Sequence, residues 1–239
     1  MNAFPLVLVP GLMCDHTVWE PLLPLLPAAK SFHIVDHKLA NSLTLMATQL
    51  LDQAPDQFVV AGHSMGGRVV LEALRLAPER IAGVALMDTG HLPKLSGTAG
   101  EEEVRKRLAL LGIAQAQGVR AMAHEWVKGM VHPDRLKDAA LIEQILSMFE
   151  RKSSDVFARQ LLALIHRPDG TEVLKSIKVP TLMLCGEQDA WSPPAQHEAM
   201  KVHVPGAAMA VIPNAGHMST MEKPEAVAQA MQNWLLACA

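Results

Sequence analysis

Residues 58–74, FVVAGHSMGGRVVLEAL, join a β-branched run, a glycine-rich turn and an amphipathic helical pattern. A helix N-terminus with free backbone N–H groups stabilises negative charge placed against it, whether a bound phosphate or an oxyanion formed in a reaction. The residues at the turn separate these uses. A dinucleotide fingerprint, G-x-G-x-x-G, needs its second glycine so that the backbone can approach a pyrophosphate. Ser64 occupies that place. The alternative is G-x-S-x-G, here Gly62-His63-Ser64-Met65-Gly66, a sharp strand-to-helix turn that strains the serine, exposes its hydroxyl and uses the flanking glycines to relieve crowding. Asp88 closes the next apolar run, VALMD, roughly where a ribose-binding acid would fall, so the rest of the chain has to arbitrate.

Half of the 239 residues are apolar, enough to bury a sizeable core in one large domain or a domain with an insertion. The formal net charge of -3 is dispersed without a basic stripe, which argues against nucleic acid or an anionic membrane surface as partner. The three cysteines, Cys14, Cys185 and Cys238, are odd in number and far apart, as expected of buried free thiols in a reducing compartment. The start MNAFPLVLVPGLM has no charged n-region and too short an apolar run to span a bilayer, so a cytoplasmic protein is expected. Eleven histidines invite a search for metal sites, yet no H-E-x-x-H or paired C-x-x-C occurs, and no metal is expected.

Apolar runs alternate with helical patterns along the chain. PLVLVP (5–10) precedes a helix around 17–26, FHIVDH (32–37) one around 42–54, and FVVAG (58–62) feeds the helix already quoted. IAGVALMDT (81–89) reads as a fourth strand; TLMLCG (181–186) and AMAVIP (208–213) read as two more, followed by helices from about 193 and 222. Continuous apolarity suits strands covered on both faces, and β-α alternation makes them parallel. The expectation is an α/β fold: a doubly wound, mainly parallel sheet of about six strands. From Leu92 to Arg167 the strand signal stops and four helical segments follow, separated by Gly, Pro or Ser. They read as a helical lid (92–167) inserted between the fourth and fifth strands, dividing a core of 1–91 and 168–239; an ordinary insertion without substrate contact is the plainer alternative.

A serine hydroxyl becomes a nucleophile only when a base takes its proton, and that base needs a third group to fix its tautomer. PNAGHMSTMEKPE places His217 on a glycine-containing loop after the last strand, and LCGEQDAWSPP places Asp189 just beyond the fifth. The order Ser64, Asp189, His217 suits a nucleophile on a strand-helix turn of a parallel sheet. Asp88 is the rival acid, better read as a turn residue before Thr89-Gly90, and His63 is expected to be a packed, hydrogen-bonded support. Acyl transfer also needs donors for the developing oxyanion, each worth about 3 kcal/mol. The backbone N–H of Met65 at the helix start and that of Leu12, after the first strand, are the candidates.

The elbow GHSMGG, the LCGEQDAWSPP acid loop, the PNAGHMSTMEKPE histidine loop and the lid between them resemble the α/β-hydrolase superfamily, in particular small single-domain carboxylesterases with a four-helix lid. The resemblance covers essentially the whole chain. It implies Ser64 as nucleophile, His217 as base, Asp189 as orienting acid, Leu12 and Met65 as oxyanion donors, and no cofactor. One departure is Pro10-Gly11, where many members carry His-Gly after the first strand. The expected activity is cleavage of a small, mainly apolar carboxylic ester through an acyl-enzyme on Ser64. Lactone or C–C bond hydrolysis, acyl transfer and cofactor-free oxidation would use the same machinery. A non-catalytic ligand-binding module is the rival of another class. Met13, Met122, Trp126 and Met218 are candidates for an adaptable apolar pocket, although core packing of the lid explains such residues equally well. The nucleotide reading fares poorly, because it leaves both downstream loops unexplained and the turn follows the third strand rather than the first.

Overall fold

The computed structural model describes residues 4–27, 29 and 31–239. Six apolar runs pair in parallel: β1 (Leu6–Val9), β2 (Phe32–Ile34), β3 (Phe58–His63), β4 (Ile81–Met87), β5 (Thr181–Gly186) and β6 (Ala208–Ile212). Every residue of β1, β3 and β5 is buried, which is why these runs show no polar alternation. The edge strands β2 and β6 are partly exposed. Across the sheet the order is β2-β1-β3-β4-β5-β6. The chain therefore moves outward from β1 to β2 and returns to lay β3 on the other side of β1. Loops leaving the carboxyl ends of β1 and β3 diverge there, and a crevice opens at this topological switch point.

Helices cover the sheet: α1 (Leu43–Gln53) and α2 (Met65–Leu76) precede β4, and α3 (Gly97–Gln117), α4 (Val119–Trp126), α5 (Ala139–Glu150), α6 (Ser154–Ile165) and α7 (Thr171–Ser176) fill the connection to β5. α8 (Pro194–Val202) follows β5, and α9 (Ser219–Glu222) and α10 (Pro224–Ala237) follow β6. Side-chain caps start several of them: the Ser42 hydroxyl accepts from Leu45 N (3.1 Å), Asp138 from Leu141 N (3.1 Å) and Ser153 from Val156 N (3.2 Å). Gly118, at φ 93°, turns the chain between α3 and α4.

The helix expected around 17–26 does not form. Two short 3₁₀ turns, His16–Val18 and Leu23–Leu25, stand there, because Pro21 and Pro24 each remove an amide donor from the ladder. The closing helix expected from about 222 forms as α10, with Pro224 in its first turn, after the short α9. The four helical segments read from the sequence between the fourth and fifth strands correspond to α3, α4, α5 and α6. Among the described residues no helix is long and apolar enough to cross a membrane.

Candidate active site

β3 ends at His63 and α2 begins at Met65, leaving Ser64 between them at φ 55° and ψ -118°. Such a backbone costs a non-glycine residue about 1–3 kcal/mol, so its surroundings must hold it. Ser64 N donates to Met87 O (2.8 Å), and Thr89 Oγ1 donates to Ser64 O (2.6 Å). A Cβ on Gly62 would stand 2.5 Å from the Gly66 carbonyl oxygen, and one on Gly66 would run into the carbonyl of Val9. Only glycine lets the turn close this tightly.

The loops after β5 and β6 bring two side chains to this turn. Asp189 accepts the amides of Trp191 (2.8 Å) and Ser192 (2.9 Å) on Oδ1, while Oδ2 lies 2.8 Å from His217 Nδ1. A carboxylate only accepts, so it sets the tautomer: Nδ1 carries the proton and Nε2 is free to accept from the Ser64 hydroxyl, 2.8 Å away. Burial works against a charged His217, but the Asp189 charge and hydrogen bond outweigh it and hold the imidazole pKa above its ordinary 6.5. Burial likewise opposes ionisation of Asp189; its hydrogen bonds and charge interaction with His217, helped by the two amides, prevail and keep its pKa below 3.8.

His63 and Asp88 stand behind these groups. The His63 Nε2–H donates to the His217 carbonyl (2.8 Å), and burial, aided by His217, pushes its pKa down to about 4, so it supports the loop as a neutral ring. Asp88 is neither the partner of His217 nor a simple turn residue. It is fully buried and accepts from Gly186 N (2.9 Å) and Ser219 Oγ (2.5 Å), tying β4 to β5 and α9. Burial, reinforced by the Asp189 charge, raises its pKa well above 3.8. The His217 loop also hangs on the helical insertion: Met130 O accepts the amides of His217 (2.7 Å) and Met218 (3.1 Å). Glu222 bridges the same two regions by accepting from Gly216 N (2.9 Å) and His132 N (2.7 Å).

The loop after β1 runs directly beside the serine. A Cβ on Gly11 would stand 3.1 Å from Ser64 Cβ, and His37 Nε2 fixes the preceding carbonyl, Pro10 O, at 3.0 Å. Cys14 N donates to Gly11 O (3.1 Å), closing a turn whose second corner, Met13, has φ 62°. The Met13 amide donates to Gln160 Oε1 (2.8 Å) on α6. Leu12 at the first corner and Met65 at the first position of α2 carry amides to which turn and helix geometry assign no acceptor. Both residues line a cavity of about 710 Å³ that also receives Ser64 and His217.

Trp126, Met130, Phe149, Phe157 and Met218 border that cavity, and Trp191 covers the imidazole with ring centroids 4.8 Å apart while stacking on Trp126 at 5.7 Å. Arg68, Glu103, Arg107 and Arg167 border it too. Two of the expected pocket residues lie elsewhere: the side chains of Met13 and Met122 are fully buried in the core and outside the cavity lining. Met13 turns inward because its backbone occupies the corner beside Gln160, and Met122 lies on the buried face of α4. Among the described residues no group of three or more His, Cys, Asp or Glu side chains is arranged to hold a metal ion.

A family model of the alpha/beta hydrolases matches residues 6–230. The chain belongs to the alpha/beta hydrolase family. This hydrolase is 27% identical over 245 residues to a pimeloyl-[acyl-carrier protein] methyl ester esterase of Photobacterium profundum, covering 96% of this chain and 94% of that one. It is 32% identical over 179 residues to the dihydrolipoyllysine-residue acetyltransferase component of an acetoin cleaving system of Pseudomonas putida, covering 74% of this chain but 45% of that longer protein. Among solved structures it resembles a malate-bound thermophilic esterase from Thermogutta terrifontis, at 28% identity and a TM-score of 0.84, with 99% of this chain and 91% of the other covered. An enol-lactonase from Burkholderia xenovorans shares the fold at 20% identity and a TM-score of 0.84, with 98% and 92% of the two chains covered.

Sequence reasoning missed two features of this hydrolase's site. Trp191 stands two residues after Asp189, so its closeness to the imidazole had a local signal. Arg68 stands four residues after Ser64, but Arg107 and Arg167 had no such signal, because they come from remote segments that only the fold brings to the same cavity.

Proposed function

We propose that this alpha/beta hydrolase is a serine carboxylesterase that cleaves a small, mainly apolar ester through an acyl-enzyme on Ser64. The observation that carries the reading is the unbroken chain Ser64 Oγ, His217, Asp189, with both links at 2.8 Å. His217 Nε2 takes the hydroxyl proton as Oγ attacks the ester carbonyl carbon, and Asp189 steadies the imidazolium that forms. The amides of Leu12 and Met65 receive the carbonyl oxygen as it becomes negative. The C–O bond to the alcohol then breaks and the alcohol leaves with the proton from Nε2. Water, deprotonated by the same nitrogen, releases the acid and restores Ser64.

Relatives named as esterases support the choice of reaction. The aromatic wall of the cavity suits an apolar substrate, and residues 92–167 act as the lid over a core made of 1–91 and 168–239. No cofactor enters any step. The three buried, unpaired cysteines suit a reducing compartment such as the cytoplasm.

Ser64→Ala tests the reading. The variant is expected to keep the circular-dichroism spectrum and melting behaviour of the parent while losing turnover of a nitrophenyl ester and labelling by a fluorophosphonate. Retained turnover would refute the role of Ser64. Labelling of the parent also separates a hydrolase from a binding module, which needs no activated hydroxyl.

A further inference from the structure

The cavity that holds Ser64 has a charged side whose balance does not close. Arg68, Arg107 and Arg167 stand there against one carboxylate, Glu103. Arg167 grips both oxygens of Glu103, at 2.6 and 2.8 Å, and Arg107 adds a contact of 2.9 Å to the first of them. Glu103 is thereby spent. Asp88, the other acid of the lining, already accepts from Gly186 and Ser219. Lys106 has its own partner in Glu102, at 3.6 Å. Arg68 is left with the Leu92 carbonyl at 2.8 Å, an uncharged acceptor that also takes Arg167 Nε at 3.3 Å. Among the described residues no carboxylate hydrogen-bonds to Arg68.

This surplus stands close to the chemistry. Arg68 is four residues along α2 from Ser64, about 6 Å on the helix axis, and both border the same cavity. Its second guanidinium nitrogen turns toward Gly90, where an added Cβ would stand 3.2 Å from it. Burial, with Arg167 and Arg107 adding repulsion that the charge of Glu103 offsets only in part, pushes the Arg68 pKa down to about 9, so its charge is held at a cost that a nearby anion would relieve. A guanidinium presents parallel N–H groups that match the oxygens of a carboxylate or a phosphate.

We propose that Arg68, flanked by Arg107 and Arg167, is a binding subsite for an anionic group, carboxylate or phosphate, carried by the ester whose carbonyl lies at Ser64. The substrate is then an amphiphile: an apolar part lies against Trp126 and Phe157 while its charged end meets Arg68. This deepens the esterase reading and rests on it. The hydrolysis itself is unchanged, with the anion retained on the acid or on the alcohol that is released.

Two matched pairs of esters test it, followed by pH-stat: monomethyl adipate against methyl hexanoate, and 2-acetoxyethyl phosphate against butyl acetate. The expected result is a higher kcat/KM for the anionic member of at least one pair, and the favoured pair identifies the charge as carboxylate or phosphate. The preference should shrink as salt is raised. In Arg68→Met the anionic ester should lose about 10- to 100-fold in kcat/KM, mainly through KM, and the loss should exceed that on its neutral partner by about tenfold or more. Arg68→Lys should restore part of it. A neutral ester preferred in both pairs, or equal losses on charged and neutral esters, overturns the subsite. Calorimetric titration of Ser64→Ala with the two anionic esters reads the subsite without turnover. Binding that disappears in Ser64→Ala/Arg68→Met supports it, and no binding of either ester overturns it. Failure of the esterase reading would instead appear as no turnover of any ester and no fluorophosphonate labelling of the parent.

Discussion

At the residue scale, the proposed reaction rests on Ser64, held in a strained backbone, and on the two hydrogen bonds of His217, whose protonation state would set the pH range. The base must be neutral to accept a proton, and the Asp189 interaction holds the imidazole pKa above 6.5. The acid limb of kcat/KM should therefore fall above the ordinary histidine value, with activity lost as pH drops through it. In Asp189→Asn the carboxylate charge and its hydrogen bond are gone and burial is opposed only by the lesser pulls of Asp88 and Glu222, so the residual activity should titrate at lower pH than the parent's. Its kcat should drop by about 10⁴-fold, as when the acid of such a triad becomes an amide that stabilises the wrong tautomer. A pH–rate profile of parent and variant checks both statements; an unshifted acid limb would detach Asp189 from the base.

At the scale of elements, α3 to α6 contribute residues to the cavity and also hold parts of the site in place. Gln160 on α6 accepts the Met13 amide at 2.8 Å, next to the Leu12 amide that we assign to the oxyanion. Gln160→Leu leaves that amide buried without an acceptor and frees the turn to shift. We expect kcat to fall by about 10- to 100-fold with a much smaller change in KM, since small misplacements near the reacting atoms cost that much. Equal changes in both constants, measured by steady-state kinetics, would reduce Gln160 to a packing residue. The Glu103–Arg167 pair joins α3 to the segment after α6. Burial opposes ionisation of Glu103, but the hydrogen bonds and charges of Arg167 and Arg107 dominate and lower its pKa from 4.5 to about 2. A carboxylate depressed in the folded state stabilises fully above its unfolded pKa and loses that contribution as pH falls through the folded value. The gap in melting temperature between the parent and Glu103→Gln should thus be open above pH 4.5 and close between 4.5 and 2. A gap independent of pH would contradict this.

At the scale of the whole molecule, six parallel strands with buried centres supply the rigid frame on which three remote loops meet. Leu8 is fully buried on β1, paired with Ile34 of β2 on one side and Ala61 of β3 on the other. Leu8→Ala should cost about 2–5 kcal/mol, read from the denaturant midpoint at constant slope. A cost below about 1 kcal/mol would mean that the sheet repacks freely, against the close packing of such cores.

Much of this protein could be read before folding. The strands were legible because burial on both faces demands uninterrupted apolar runs, and Gly62, Ser64 and Gly66 because a turn this tight excludes other side chains. Asp189 and His217 were legible from their places just after strands. The sequence by itself thus determined the fold class, the elbow and the three residues that meet there. The segment at 17–26 misled because its apolar spacing is helical while Pro21 and Pro24 withdraw the donors a helix needs. Met13 and Met122 misled because residue type does not say which way a side chain points. Only the tertiary structure decided that Asp88 ties β4 to β5 and α9, that Gln160 holds the turn beside Leu12, and that three arginines border one cavity. The reason is physical: strand and turn signals arise from contacts within a few residues. The charge balance and shape of a pocket arise from groups far apart in the chain, which meet only when the sheet and its insertion close on one another.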